Sequence, residues 1–213
     1  HCTADILNGA KDPNEALVKD RELFQKSVAD AIGIVTGYNK RTASYRLEAF
    51  HKHLEKTAKT PPIKTGFSNL DKALDGGIIP ALYVLGAISS LGKTTFVLQM
   101  ADQMASNGND VLIFSLEMSE YELMAKSLSR LSFMHCNEST KNAKTVRGIL
   151  NGEARASYSE EEKRLIEYCE NLYSGFAKNI YIREGNISNT GVAEIKKNIE
   201  QHIAFRKKTP VVI

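Results

Sequence analysis

One stretch constrains this chain more than any other: Gly86-Ala87-Ile88-Ser89-Ser90-Leu91-Gly92-Lys93-Thr94-Thr95. It follows an apolar run, Ala81-Leu82-Tyr83-Val84-Leu85, and precedes a helix-like run, Thr95-Phe96-Val97-Leu98-Gln99-Met100-Ala101. Strand, glycine-containing loop, Lys-Thr and helix in that order predict a phosphate-binding P-loop. In such a loop successive backbone N–H groups turn inward around a phosphate, and the following helix presents its positive end to it. The candidate phosphate contacts are Ala87, Ser89, Ser90, Leu91, Gly92, Lys93, Thr94 and Thr95. Gly92 lets the backbone approach closely, Lys93 places a cation between the outer phosphates, and the Thr94 hydroxyl can hold Mg²⁺. The pattern departs from the strict form at one place. Glycine is wanted at 87, where the chain has Ala87, and Gly86 sits one position early.

The chain has 213 residues, enough for one α/β domain and an appendage. A formal net charge of +3 is too mild to argue for nucleic acid by itself. Cys2, Cys136 and Cys169 are widely spaced and form no C-x-x-C pair, so neither a disulfide framework nor a zinc site is expected. That usage fits a reducing cytoplasm. Neither His135-Cys136 nor His51-Lys52-His53 has a matching second ligand pair. No apolar run approaches the ~20 residues that span a bilayer, and no signal peptide is visible. The chain starts at His1 and stops within an apolar run at Ile213, as a fragment of something longer would.

Asp12-Pro13-Asn14-Glu15 reads as a helix start: Asp12 caps, Pro13 takes the first helical position, and Glu15 completes a capping box. One helix is expected from there to about Val35, with Leu17, Phe24, Val28, Ala31, Ile32 and Val35 toward one side. Gly33 and Gly37 weaken its end, and Gly37-Tyr38-Asn39-Lys40 reads as a loop. A second helix is predicted from Ala43 to about Thr57, with Leu47, Phe50 and Leu54 on one stripe. That stripe packs either on its own domain or on a neighbouring subunit. Thr60-Pro61-Pro62 then breaks the chain, giving a helical region over residues 1–60 and an ATPase-like region over 61–213. Beyond the break, Ser68 is expected to cap a short helix that Gly76-Gly77 ends. After the P-loop helix, Val111-Leu112-Ile113-Phe114 predicts a strand covered on both faces. A helix follows with Leu123, Met124, Leu128 and Leu131 inward. Further on come a helical patch at 146–150, a helix near 159–175 carrying Leu165, Ile166, Cys169 and Leu172, and a strand Ile180-Tyr181-Ile182. Thr190 is expected to open a helix with Val192, Ile195, Ile199 and Ile203 on one face, and Pro210-Val211-Val212-Ile213 to begin a third strand. Alternating strands and helices predict a mainly parallel sheet with helices on both faces.

Hydrolysis of a bound nucleotide needs a carboxylate that orients and deprotonates water. In α/β sheets such groups sit at the carboxyl ends of strands. Glu117, just past the run 111–114, is the candidate catalytic base beside Lys93. A second acidic group supporting Mg²⁺ would be expected after Val211-Val212-Ile213, where the sequence ends.

Thr65-Gly66-Phe67-Ser68-Asn69-Leu70-Asp71, placed just before a P-loop strand, resembles the corresponding segment of the RecA-type ATPases. Ser115-Leu116-Glu117-Met118-Ser119, after Val111-Leu112-Ile113-Phe114, resembles the segment after the second strand in DnaB-type replicative helicases, a family that commonly carries Ala at the position of Ala87. The resemblance covers about residues 61–213. It implies a RecA-like core, truncated at its C-terminal side, from a hexameric ATPase that uses ATP and Mg²⁺ and translocates on single-stranded DNA. It implies Lys93 and Thr94 at the phosphates and metal, and Glu117 as catalytic base. Asn8-Gly9-Ala10-Lys11-Asp12-Pro13-Asn14-Glu15-Ala16-Leu17 is similar to the tail of a TOPRIM domain in phage and mobile-element primase–helicases. On that resemblance residues 1–37 are the remnant of a primase half and 43–57 a linker helix that docks on the next subunit.

Two other readings compete. A recombinase or KaiC-like ATPase shares the residues at 65–77 and the P-loop, and the Ser-Leu-Glu-Met-Ser segment argues against it. A nucleotide-binding or assembly fragment without turnover would fit a chain that lacks the second acidic group. Arg206-Lys207-Lys208 reads as a solvated helix end rather than a DNA contact.

Overall fold

The apolar run at 111–114 forms the strand on which the rest of the sheet is laid. The computed structural model describes residues 6–58, 60–136, 140–185 and 191–213. Strand β1, Val111–Ser115, lies between β2, Ile180–Glu184, and β3, Val211–Val212. Both pairings are parallel, with Val111 opposite Ile180 on one side and Val211 on the other. A strand flanked on both sides has no exposed ladder, and Val111, Leu112 and Ile113 are all buried.

The chain divides into two compact units, His1–Pro61 and Pro62–Ile213. In the first unit, α1 is Pro13–Lys19, α2 is Arg21–Asn39 and α3 is Ala43–Thr57. The single helix expected from Pro13 is therefore two. Asp20 is extended (φ −153°, ψ 96°) and its carboxylate accepts the Leu23 N–H at 2.9 Å, so an Asp that could have continued one helix starts another. The loop expected at 37–40 is instead helical through Asn39. Helix α3 has the expected bounds, with the Thr42 hydroxyl accepting the Tyr45 N–H, and its stripe residues Leu47, Phe50 and Leu54 are all exposed.

In the second unit the helices are α4 (Ser68–Ala73), α5 (Lys93–Ser106), α6 (Glu120–His135), α7 (Val146–Leu150), α8 (Gly152–Ala156), α9 (Glu160–Ala177) and α10 (Val192–Arg206). Leu98, Ala101, Met104 and Ala105 of α5 pack with Val111, Ile113 and Leu123 in one core. Leu128 and Leu131 of α6 meet Cys169 and Tyr173 of α9 in a second. Burial of a side chain such as Met104 contributes about 1.5–3 kcal/mol. Arg130 of α6 donates to the buried Asp102 of α5 at 2.8 Å, joining the two helices by charge as well as by packing.

Several expectations fail locally. Ser68 is the first residue of α4 and not its cap; Phe67 holds the cap position with no side-chain hydrogen bond. Met124 is exposed, because only positions 123, 128 and 131 of the stripe face the core. On α10, Val192 and Ile203 are exposed while His202 is buried. The start of that helix expected at Thr190 lies outside the described residues. The largest departure is at 81–85. No strand forms there among the described residues, and Leu82 and Val84 are 89% and 85% exposed. A strand requires ladder partners for its N–H and C=O groups, and this segment pairs with neither β2 nor β3.

Arg206 is exposed, as expected of a solvated helix end, and it is also paired. Its guanidinium donates to both oxygens of Asp110, at 3.1 and 3.4 Å, and His202 Nε2 lies 3.0 Å from Asp110 Oδ2. This cluster ties α10 to the residue just before β1. Burial alone would push the Asp110 carboxyl up, but the hydrogen bonds from Arg206 and His202 hold it below its ordinary value of 3.8. A lowered carboxyl contributes its full stabilisation above 3.8 and loses it as pH falls below 3.8 toward the folded-state value. Acid unfolding of the protein should therefore steepen below that pH. Asp110→Asn should be less stable at neutral pH and show a shallower acid slope. An acid slope identical in the two proteins would remove this cluster from the account.

Candidate functional site

Residues 65–67 pack against α5, the helix that follows the phosphate loop expected at 86–95. The Thr65 N–H and hydroxyl both donate to Asp71 Oδ1, at 2.8 and 2.7 Å, and these bonds hold the Asp71 carboxyl below its ordinary value. Gly66 follows at φ +86°, and a Cβ there would meet Gln103 Oε1 of α5 at 2.4 Å. Next, Phe67 stacks on Phe96, the fourth residue of α5, with centroids 4.7 Å apart. Only glycine permits that approach, so the segment grips α5 near its first turn.

The loop itself is exposed. Ser90 sits at φ 65° and Gly92 at φ 92°, the turn that delivers the chain into α5. Lys93, Thr94 and Thr95 form the first turn of α5, two residues earlier than the apolar run alone indicated, because the αL conformation of Gly92 ends the loop there. No side chain caps that turn, which leaves its amides available to an anion. Lys93 Nζ points back into the loop and donates to the carbonyls of Ala87 at 3.0 Å and Ile88 at 3.2 Å. A cation is thus already lodged inside a ring of backbone atoms, beside an uncapped helix start. Ser89, Ser90, Leu91, Thr94 and Thr95, its neighbours along the chain, are all exposed. These features fit a polyphosphate, with the Thr94 hydroxyl the available oxygen for Mg²⁺.

Glu117 is exposed, two residues beyond the end of β1. Among the described residues no hydrogen bond or ion pair links it to Lys93, Thr94 or Thr95. The structure brings Ala87, Ile88 and Lys93 together and leaves Glu117 at the apex of a separate loop. That loop is short and firmly seated. The Ser115 hydroxyl donates to the Met118 carbonyl at 2.6 Å and accepts the Met118 N–H at 3.2 Å. Ser119 and Glu122 then form a capping box at the start of α6. The Ser119 backbone and side chain lower the Glu122 carboxyl pKa.

Two neighbours escaped the sequence reading. Lys126 of α6 donates to Thr95 Oγ1 at 3.5 Å, bringing a second cation toward the start of α5. Glu184, at the end of β2, accepts the Glu120 N–H at 2.5 Å. The Ser119-x-x-Glu122 capping box also went unread, although its spacing is a local signal; these two contacts span 31 and 64 residues and have no local signal. Among the described residues no group of three or more His, Cys, Asp or Glu side chains is placed to hold a metal, and no helix is long and apolar enough to cross a membrane.

Comparison with known proteins places this geometry. Residues 62–202 match the family described as DnaB-like helicase C terminal domain. The replicative DNA helicase DnaB of Geobacillus stearothermophilus is 38% identical over 86 residues, which cover 40% of this chain and 17% of that protein. Among solved structures, one described as an ATPase domain superposes with a TM-score of 0.55 at 24% identity, covering 81% of this chain and 55% of that one. The structure of a DnaB-like replicative helicase and its interactions with primase gives 0.58 at 19% identity, covering 95% and 45%. The chain thus spans under a fifth of that curated relative's length and about half of each solved chain. The structural likenesses establish a RecA-like fold, and the parallel order β2-β1-β3 agrees with it. With its match running through the phosphate loop, the Ser-Leu-Glu-Met-Ser segment and most of α10, the chain belongs to the DnaB-like helicase C-terminal domain family.

Proposed function

We propose that this chain is part of the ATP-hydrolysing motor of a replicative DNA helicase, and that residues 86–95 hold the triphosphate. The observation that carries this reading is Lys93, whose ammonium lies inside the loop at the uncapped start of α5. On phosphate binding its hydrogen bonds pass from the Ala87 and Ile88 carbonyls to phosphate oxygens, which are the stronger, charged acceptors. The amides of Ser89, Ser90, Leu91, Gly92, Lys93, Thr94 and Thr95 surround the same anion, and the Thr94 hydroxyl ligates Mg²⁺. Bound there, Mg²⁺ would neutralise charge developing on the phosphates. Glu117 orients the attacking water and takes its proton.

The family supports two further assignments. One is single-stranded DNA as the track along which hydrolysis drives the protein. The other is a homo-oligomeric, hexameric assembly. Leu47, Phe50 and Leu54 of α3 support the second, since an exposed apolar stripe on a helix gains by being covered. A primase half before residue 38 rests on the resemblance of residues 8–17 alone.

Three measurements test this reading. Lys93→Ala should abolish Mg²⁺-dependent ATP binding by calorimetry while circular dichroism stays that of the wild type; unchanged affinity would overturn the phosphate-loop assignment. Glu117→Gln in the complete protein should keep nucleotide affinity and lower ATP hydrolysis by roughly 10²–10⁴-fold, the usual contribution of a placed general base. Turnover close to wild type would take Glu117 out of the catalytic role. Replacing Leu47, Phe50 and Leu54 together by Ser should yield smaller particles in light scattering, and an unchanged mass would assign the stripe another partner.

A further inference from the structure

Three features outside the phosphate loop have no part in the proposed chemistry: the Asp110–His202–Arg206 cluster, the contact that Lys126 makes to the loop, and Glu184. The first fastens α10 through the buried Asp110 and His202 and the exposed Arg206. The second is a single long contact on an exposed side chain. The third is woven into the loop that carries Glu117, from both ends.

Parallel pairing of β1 with β2 sets Ser115 opposite Glu184. The ladder continues one step further, the Gly185 N–H donating to the Ser115 carbonyl at 2.8 Å. This fixes the backbone where the Glu117 loop leaves the sheet. The Glu184 side chain then reaches across to the other end of that loop and accepts the N–H of Glu120, the first residue of α6, at 2.5 Å. Within the loop, Ser115 grips Met118 through both polar groups of the latter's backbone. Ser119 and Glu122 hold the cap. Between these anchors only Leu116 and Glu117 are left to project, and both are exposed.

We propose that Glu184 is a positioning residue for Glu117: the Gly185 N–H just past β2 fixes the departure of the loop, and the Glu184 carboxylate fixes its arrival. The inference rests on the reading of Glu117 as the water-activating base. The chemistry suits the task. The amide of Glu120 is one of the unpaired donors at a helix start, and a carboxylate is favoured there by both hydrogen bond and helix dipole. Glu184 touches no phosphate and transfers no proton. Its contribution is to keep a two-residue projection from swinging, and small misplacements of a reacting group are costly in rate.

The test pairs two experiments. Hydrogen exchange on this chain should show residues 116–120 exchanging faster in Glu184→Ala than in wild type, with α5 unchanged. In the complete protein, Glu184→Ala should lower kcat for ATP hydrolysis roughly 10- to 100-fold, with KM for ATP unchanged because the phosphate loop is intact. Glu184→Gln retains an oxygen that accepts the Glu120 N–H and should restore most of kcat. The double variant Glu117→Gln with Glu184→Ala should be no slower than Glu117→Gln alone, since a positioning residue has nothing left to position. Wild-type kcat in Glu184→Ala, with Glu117→Gln impaired, overturns this inference and spares the role of Glu117. Losses that multiply in the double variant, or a kcat loss without faster exchange at 116–120, overturn it too. Wild-type kcat in Glu117→Gln overturns both.

Discussion

The parallel ladder on both sides of β1 is the constraint from which the described site follows. It buries Val111, Leu112 and Ile113, so this strand has one placement. Its start is fastened by Asp110, which holds His202 and Arg206 of α10. Its end is fastened by β2, whose last residues bracket Ser115. A carboxylate two residues past such an end is carried by a rigid base. The same ladder brings α5 and α6 over one core, through Leu98, Met104 and Leu123, and Arg130 with Asp102 locks the two helices together. The first turns of these helices carry the phosphate-loop Lys93 and follow the Glu117 loop, respectively.

The phosphate loop is held differently. Among the described residues no ladder supports the segment before it, and Leu82 and Val84 face solvent. Its position comes from α5, which is packed through Leu98, Ala101, Met104 and Ala105 and gripped from behind by Gly66 and Phe67. The loop therefore has a fixed exit and a loose approach. Lys93, bonded to the Ala87 and Ile88 carbonyls, closes it on itself. These are neutral acceptors that a phosphate can displace.

Much of this was legible in the sequence where the signal is local. The Asp12-Pro13 start of α1, the helix over 43–57 and the four-residue run at 111–114 each write their structure into adjacent residues, and each element forms where the sequence puts it. The phosphate loop could be found because Gly92-Lys93-Thr94 is itself a spacing. Failures fall where distant partners decide. An apolar run at 81–85 has strand propensity, yet propensity without a paired neighbour leaves the backbone solvated. Asp20 looked like one more polar position of a helix, and its side chain instead caps the next one. Arg206 is exposed as read, but its bond to Asp110 went unseen because that partner is 96 residues away. Glu184 carried no signal at all, since its role depends on register between two strands that the chain order separates.

The central claim is that the backbone amides of residues 89–95 are the anion site. Amide hydrogen exchange of the wild-type chain, with and without MgATP, tests it most directly. Nucleotide should slow exchange at residues 89–95 while leaving α7, α8 and α9 unaffected, because only the loop amides and the first turn of α5 gain acceptors. Binding of MgATP that protects some other segment and leaves 89–95 exchanging as in the free chain would contradict the account.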